Sequence, residues 1–228
     1  WRKTVSENRK FSVLMSVYIK ENPAFLKEAV ESILHQTLQP SEVVIVEDGP
    51  LIPELYQVLE ELEAQSSIPI KRCPLEQNRG LGLALKYGVT QCQYDVIARM
   101  DTDDIAVEDR FEQQFELMET ENLDLLGGHI AEFIDQPDEI VSYRRVPIKH
   151  EDIIVYQRMR SAFNHMTVMF KKEMVLKAGN YEDGLYMEDD LLWLNMISAG
   201  ARTGNVDQIL CKVRVGAGMF ERRGGLRY

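Results

Sequence analysis

FSVLMSVYIKENPAFLKEAVESILHQTLQPSEVVIVEDG, residues 11–49, decides the fold. Its first nine residues, 11–19, form a near-continuous apolar run rich in β-branched side chains, the pattern of a strand buried on both faces. Asn22 and Pro23 then read as the N-cap and first position of a helix that sets Phe25, Leu26, Ala29, Ile33 and Leu34 on one face. Residues 41–49 give a second buried strand, which ends in Glu47, Asp48 and Gly49. Strand, helix and strand joined by short connections make the opening unit of a parallel sheet.

The same alternation continues. Residues 53–65 predict an amphipathic helix, 68–76 a short strand, 81–92 a third helix just after Asn78-Arg79-Gly80, and 94–101 a fourth strand. In a doubly wound sheet, ligands bind beyond the carboxyl ends of the strands. That rule gathers Tyr18 with Lys20 and Glu21, Glu47 with Asp48, and Asp101 with Asp103 onto one rim.

Past residue 105 the pattern becomes mixed. Helices are expected at 108–121, 150–162 and 187–201, strands at 123–134 and 208–218, and a strand running into a helix at 165–179. Residues 135–150, with Pro137 and Pro147, read as a loop or hairpin. Residues 1–10 form a polar lead-in, and 11–228 a single α/β domain. Its parts are an alternating half, 11–105, and a mixed half, 106–228, expected to be cut short at the C-terminus.

The formal charge of −11 argues against a nucleic-acid partner, whose signature is a basic stripe. Cys73, Cys92 and Cys211 are odd in number and widely spaced, which favours a reducing compartment over a disulfide framework. No apolar stretch approaches a membrane-spanning length, so a cytoplasmic location is expected, with room for one at the inner face of the membrane. Met159 and Met166 fit apolar faces and are assigned to the core.

Several short motifs could carry chemistry. Asp101 and Asp103, one residue apart at a strand end, can meet a hard divalent cation that keeps positions open for phosphate oxygens. The same triplet also reads as a turn in which Asp103 or Asp104 caps the following helix. An acid at Glu47 or Asp48 can accept hydrogen bonds from a base or ribose, or simply mark a turn. Asn78-Arg79-Gly80 opens a helix whose free N–H groups suit phosphate. Glu188, Asp189 and Asp190 complement a helix dipole, or offer a general base. His165 could hold metal or phosphate, and Arg99, Arg214, Arg222 and Arg223 could hold a pyrophosphate.

In their order, SVLMSVYIKENPAFLKEAVESILHQT, EVVIVEDG, NRGLGLALKYG, YDVIARMDTDD, HMTVMFKK and EDDLLWLN resemble family 2 of the nucleotide-sugar glycosyltransferases, from Phe11 to about Arg223. The resemblance implies an inverting enzyme of the GT-A fold, a Rossmann-like nucleotide-diphospho-sugar transferase with a mostly parallel mixed sheet flanked by helices, in which 11–105 is the nucleotide-sugar-binding half and 106–228 the acceptor-binding half. It implies a UDP-sugar donor, an Mn²⁺ or Mg²⁺ cofactor, and a glycan or lipid-linked oligosaccharide acceptor for capsule, lipopolysaccharide or exopolysaccharide. Any peripheral membrane contact would come from a C-terminal region beyond this chain.

By the same resemblance, Ser16, Tyr18, Glu47, Asp48, Asn78, Arg79, Gly80 and Arg99 line the donor nucleotide, and Asp101 serves both donor and metal. Asp103, with His165, is a metal ligand, and Asp104 is left to the helix cap. Asp189 is the base, and Glu188, Arg222 and Arg223 contact acceptor or diphosphate. A nucleotidyltransferase and a non-catalytic sugar-nucleotide binding module remain as alternatives. The first usually opens with a Gly-rich loop and a basic residue after strand one, where this chain has Tyr18.

Overall fold

The computed structural model describes residues 9–182 and 187–216. Its first half is the parallel unit that the opening stretch implies. Strands β1 (Ser12–Val17), β2 (Glu42–Glu47), β3 (Ile70–Pro74) and β4 (Val96–Arg99) lie in the order β3-β2-β1-β4, all parallel. Helices α1 (Pro23–Leu34), α2 (Pro53–Gln65) and α3 (Leu81–Gln91) make the crossovers. Asn22 caps α1 by accepting from the Ala24 amide at 2.9 Å, and Leu26, Ala29, Val30 and Ile33 form its buried face.

Apolar residues run without alternation in β1 and β2 because each strand serves two cores. Val13, Met15 and Val17 pack with α1, α2 and Phe111 on one face; Leu14 packs with Ala84, Leu85 and Trp193 on the other. Burial of this kind, at about 25 cal/mol per Å² of apolar surface, is the main stabilising term.

Beyond β4 the sheet turns mixed. β8 (Met169–Lys171) pairs antiparallel with β4 and with β6 (Leu125–Phe133), and β6 runs parallel to the long β9 (Thr203–Arg214). β7 (Ile140–Arg144) folds back on β6 as a hairpin, and the two-residue β5 (Ile105–Ala106) is held by β9. α4 (Arg110–Glu121) covers one face; α5 (His150–Tyr156), α6 (Lys172–Lys177) and α7 (Glu188–Ser198) cover the other.

Three sequence expectations need correction. β9 begins at Thr203 rather than 208, because Thr203 and Asn205 are buried polar residues with internal partners and leave no apolar signal. α5 stops at Tyr156 rather than 162, since the Gln157 side chain accepts the Ala162 amide at 2.7 Å and turns the chain. Met159, assigned to the core, is 81% exposed on that turn. Residues 1–8 lie outside the described region, whereas Arg9 of the expected lead-in pairs with Glu119 at 2.6 Å.

Candidate active site

The carboxyl ends of β1, β2 and β4 open on a cleft of about 470 Å³. Ser16, Tyr18, Asp48, Asn78, Gly80, Asp101 and Asp103 all line it, as do Thr102 and Asp104. Segments as far apart in sequence as β1 and the 101–104 turn meet here because parallel strands all end on the same rim.

Asp48 organises one wall. Its two carboxylate oxygens accept the amides of Arg79 at 2.7 Å and Gly80 at 3.0 Å, while Asn78 Nδ2 donates to the Asp48 carbonyl. The contact is tight at Gly49, whose φ is +84°; a Cβ there would stand 2.5 Å from the Asn78 nitrogen. Gly80, the N-cap residue of α3, faces the cleft. Glu47, next to Asp48, pairs with Arg72 at 2.5 Å and is not among the cleft-lining residues. Arg79 joins through its backbone amide, and its side chain is exposed.

The acidic wall is the 101–104 turn. Burial, and then the charges of Asp101 and Asp103, push the Asp104 carboxyl well above the usual carboxylate range. Asp104 does not cap a helix: α4 begins at Arg110, with Asp109 at its N-cap position. Asp104 Oδ1 instead accepts the Arg214 amide at 3.0 Å, which ties the turn to the end of β9 beside β5. A cap needs a side chain adjacent to free helix amides, and β5 lies between Asp104 and α4.

Arg99 Nη1 stands 2.5 Å from Asp101 Oδ2 without hydrogen-bond alignment, and Arg99 Nε has no hydrogen-bond partner among the described residues. Arg99 is itself buried under the turn. Arg214, at the end of β9, also lines the cleft. Its guanidinium sits 3.7 Å from the Phe25 ring and 4.6 Å from that of Phe133, with Nη2 2.6 Å from Glu28 Oε2.

Three acids open α7, and their surroundings separate them. Asp190 Oδ1 accepts from Gln157 Nε2 at 2.9 Å. The stem of Glu188 packs on α3 at Gly82, where an added Cβ would lie 3.3 Å from Glu188 Cβ and 2.8 Å from the Glu182 carbonyl oxygen. Asp189 is left facing His165, with Oδ2 3.9 Å from Nδ1. Burial, followed by the Asp190 charge, raises its carboxyl to about 6.

His165 opens a single 3-10 turn (His165–Thr167), and its Nε2 lies 3.0 Å from the Tyr181 hydroxyl. Burial, then Arg99, holds this imidazole well below its ordinary value, so it is neutral. His165 therefore sits with Asp189, Tyr181 and Trp193 rather than on the cleft wall with Asp101 and Asp103. Arg222 and Arg223 lie outside the described residues.

Two features escaped the sequence reading. Arg144 on β7 lines the cleft, with its guanidinium 2.5 Å from Glu132; nothing in SYRR at a hairpin edge separates it from a solvated arginine. The buried Arg110 donates to the Arg99 carbonyl at 2.7 Å and to Gln114, and Gln114 donates to the Thr167 carbonyl at 2.8 Å. One helix thereby holds both the end of β4 and the His165 turn.

Comparison with known proteins agrees with this geometry. The profile described as Glycosyl transferase family 2 matches residues 12–180. An uncharacterized glycosyltransferase of Haemophilus influenzae is 47% identical over 95% of this chain and 80% of its own length. The amylovoran biosynthesis glycosyltransferase AmsE of Erwinia amylovora is 42% identical over 96% of this chain and 81% of its own. An Escherichia coli UDP-Gal:alpha-D-GlcNAc-diphosphoundecaprenol beta-1,3-galactosyltransferase is 39% identical over 96% and 79%. Among solved structures, S. aureus TarS 1-349 in complex with UDP-GlcNAc superposes with a TM-score of 0.74 at 17% identity, over 92% of this chain and 59% of that one. That likeness shows the GT-A fold. With the fold, the profile and relatives of this identity in agreement, the chain belongs to glycosyl transferase family 2 and is a glycosyltransferase.

Proposed function

We propose that this chain moves a sugar from a UDP-sugar to a hydroxyl of a lipid-linked surface-glycan precursor, with inversion at the anomeric carbon. The observation that carries the reading is the meeting of Tyr18, Asp48, the 78–80 loop and the 101–104 acids in one cleft. The relatives named for amylovoran synthesis and for a diphosphoundecaprenol acceptor support the substrate class.

Tyr18 and the loop ordered by Asp48 would seat the nucleoside, the Tyr18 ring against the base. Asp101 and Asp103 suit a divalent cation: they are carboxylates on an open wall, and their charges add to the burial that drives Asp104 toward its neutral form. A mannosyltransferase of the same fold has been solved with GDP-Man and Mn²⁺, at 14% identity and a TM-score of 0.69. When bound, Mn²⁺ or Mg²⁺ would neutralise the departing diphosphate. His165, engaged with Tyr181 and Asp189, is assigned to the base rather than to the metal.

Asp189 takes the proton of the acceptor hydroxyl as that oxygen bonds to the sugar C1. The bond from C1 to the diphosphate breaks on the opposite face, and UDP leaves with the electron pair. Asp189 is suited to this by elimination: Asp190 is engaged with Gln157, and Glu188 packs on α3. Its raised carboxyl is basic enough to accept a proton near neutrality and still ionised there.

Transfer from a panel of UDP- and other nucleotide-sugars to a lipid-diphosphate sugar acceptor tests the proposal. Turnover of a UDP-sugar is expected, with the opposite anomeric configuration in the product. Retention of configuration, or binding of UDP-sugar without turnover in any combination, would contradict it.

A further inference from the structure

The turn that ends α5 has a composition unlike the rest of the surface. The chain carries a formal charge of −11, yet residues 143–160 hold five basic side chains, Arg144, Arg145, Lys149, Arg158 and Arg160, against two acids, Glu151 and Asp152. Arg158, Met159 and Arg160 are exposed in succession, with Met159 at 81% the most exposed large apolar side chain among the described residues. Val155, one helical turn back, is 60% exposed.

This turn is not a loose excursion. The Met159 and Arg160 amides both donate to the Tyr156 carbonyl at 3.0 Å, and Gln157 closes it from within onto the Ala162 amide. The same Gln157 donates to Asp190, the residue after the proposed base. Met187, which precedes α7 and is 60% exposed, lies three residues before Asp190. The exposed Arg158-Met159-Arg160 turn and the start of α7 with its exposed Met187 are therefore tied together by one buried side chain, Gln157.

We propose that Arg158, Met159 and Arg160, with Val155 and Met187, form the edge by which this glycosyltransferase docks on an anionic lipid bilayer. Charge complementarity selects the occupant. A surface with a net charge of −11 is repelled by an anionic membrane, so a patch that pairs arginines with exposed apolar side chains is where approach is favoured. Arginines suit phosphate headgroups, and flexible methionine suits the shallow apolar layer beneath them. Glu151 and Asp152 lie one helical turn before Val155, so they bound the patch on that side and its basic centre is the Arg158-Met159-Arg160 turn. Docked this way, the protein presents Asp189 toward the membrane, where a lipid-linked acceptor keeps its sugar. The inference rests on the lipid-linked acceptor proposed above.

The test is co-sedimentation of the protein with phosphatidylglycerol-rich vesicles and with phosphatidylcholine vesicles. It compares wild type, the double variant Arg158→Glu/Arg160→Glu, and Met159→Asp. Wild type should pellet with the anionic vesicles, lose binding as salt rises, and bind neutral vesicles weakly. The double variant should lose about tenfold in partitioning, and Met159→Asp a smaller factor. All three should transfer equally to a short-chain, water-soluble acceptor analogue. Equal pelleting of wild type and double variant, or no pelleting of wild type, would overturn the proposal. So would an unchanged vesicle affinity with a raised KM for the soluble acceptor, which would make the patch an acceptor contact instead. Absence of transfer to the soluble acceptor by wild type would count against the lipid-linked reading itself, independently of the vesicle result.

Discussion

Asp189 has a raised carboxyl and faces a neutral imidazole, whereas Asp190 is engaged by Gln157 and Glu188 packs on α3. Asp189→Asn should reduce transfer by about 10²–10⁴-fold, the range for losing a general base. UDP affinity measured by calorimetry should stay within about threefold, because the nucleotide lies against other residues. The pH dependence follows from the direction of the shift. A base raised to about 6 is protonated as pH falls through that value, so kcat/KM should drop on the acid side of pH 6 and level off above it. The sign for stability is opposite. A carboxyl whose folded value exceeds its unfolded one makes the fold less stable once it ionises, so stability is lost as pH rises from about 4 to about 6 and is level above that. Asp189→Asn should therefore raise Tm at pH 8 and leave it nearly unchanged below pH 4. At this scale the sequence shows the run of acids but not which one is the base, since Gln157, Gly82 and His165 are remote in the chain.

At the scale of elements, β1, α1 and β2 are legible from residues 11–49 because burial on both faces and a cap at Asn22 leave strong local signals. β5 and the first residues of β9 are not, because their pairing partners are remote and the buried Thr203 and Asn205 are polar. The same limit explains Asp104: its partner is the Arg214 amide on β9, 110 residues away, so the acid reads as a local cap. Two substitutions probe how elements hold the site. Gly49→Ala forces a Cβ against the Asn78 backbone at a positive φ and should cost about 1–3 kcal/mol, seen in the denaturation midpoint, together with weaker UDP binding. Arg110→Met deprives the Arg99 carbonyl and Gln114 Oε1 of their donor, at a cost of about 3 kcal/mol. It should reduce transfer even below the unfolding temperature, since the end of β4 and the His165 turn lose their shared support.

In this GT-A sheet the parallel half brings the 16–18, 48 and 78–80 segments to the acidic wall, and the mixed half carries His165, Asp189 and the arginine turn. No helix among the described residues is long and apolar enough to cross a membrane. In the proposed function the cleft holds a nucleoside diphosphate through a cation on Asp101 and Asp103. The most direct measurement is calorimetric titration of UDP into wild type and Asp103→Asn, each with Mn²⁺ and with chelator. Wild type should bind UDP at least about tenfold more tightly with Mn²⁺ than with chelator, and Asp103→Asn should lose most of that difference while keeping its fold. Equal UDP affinity with and without Mn²⁺, or an undiminished Mn²⁺ effect in Asp103→Asn, would contradict the claim.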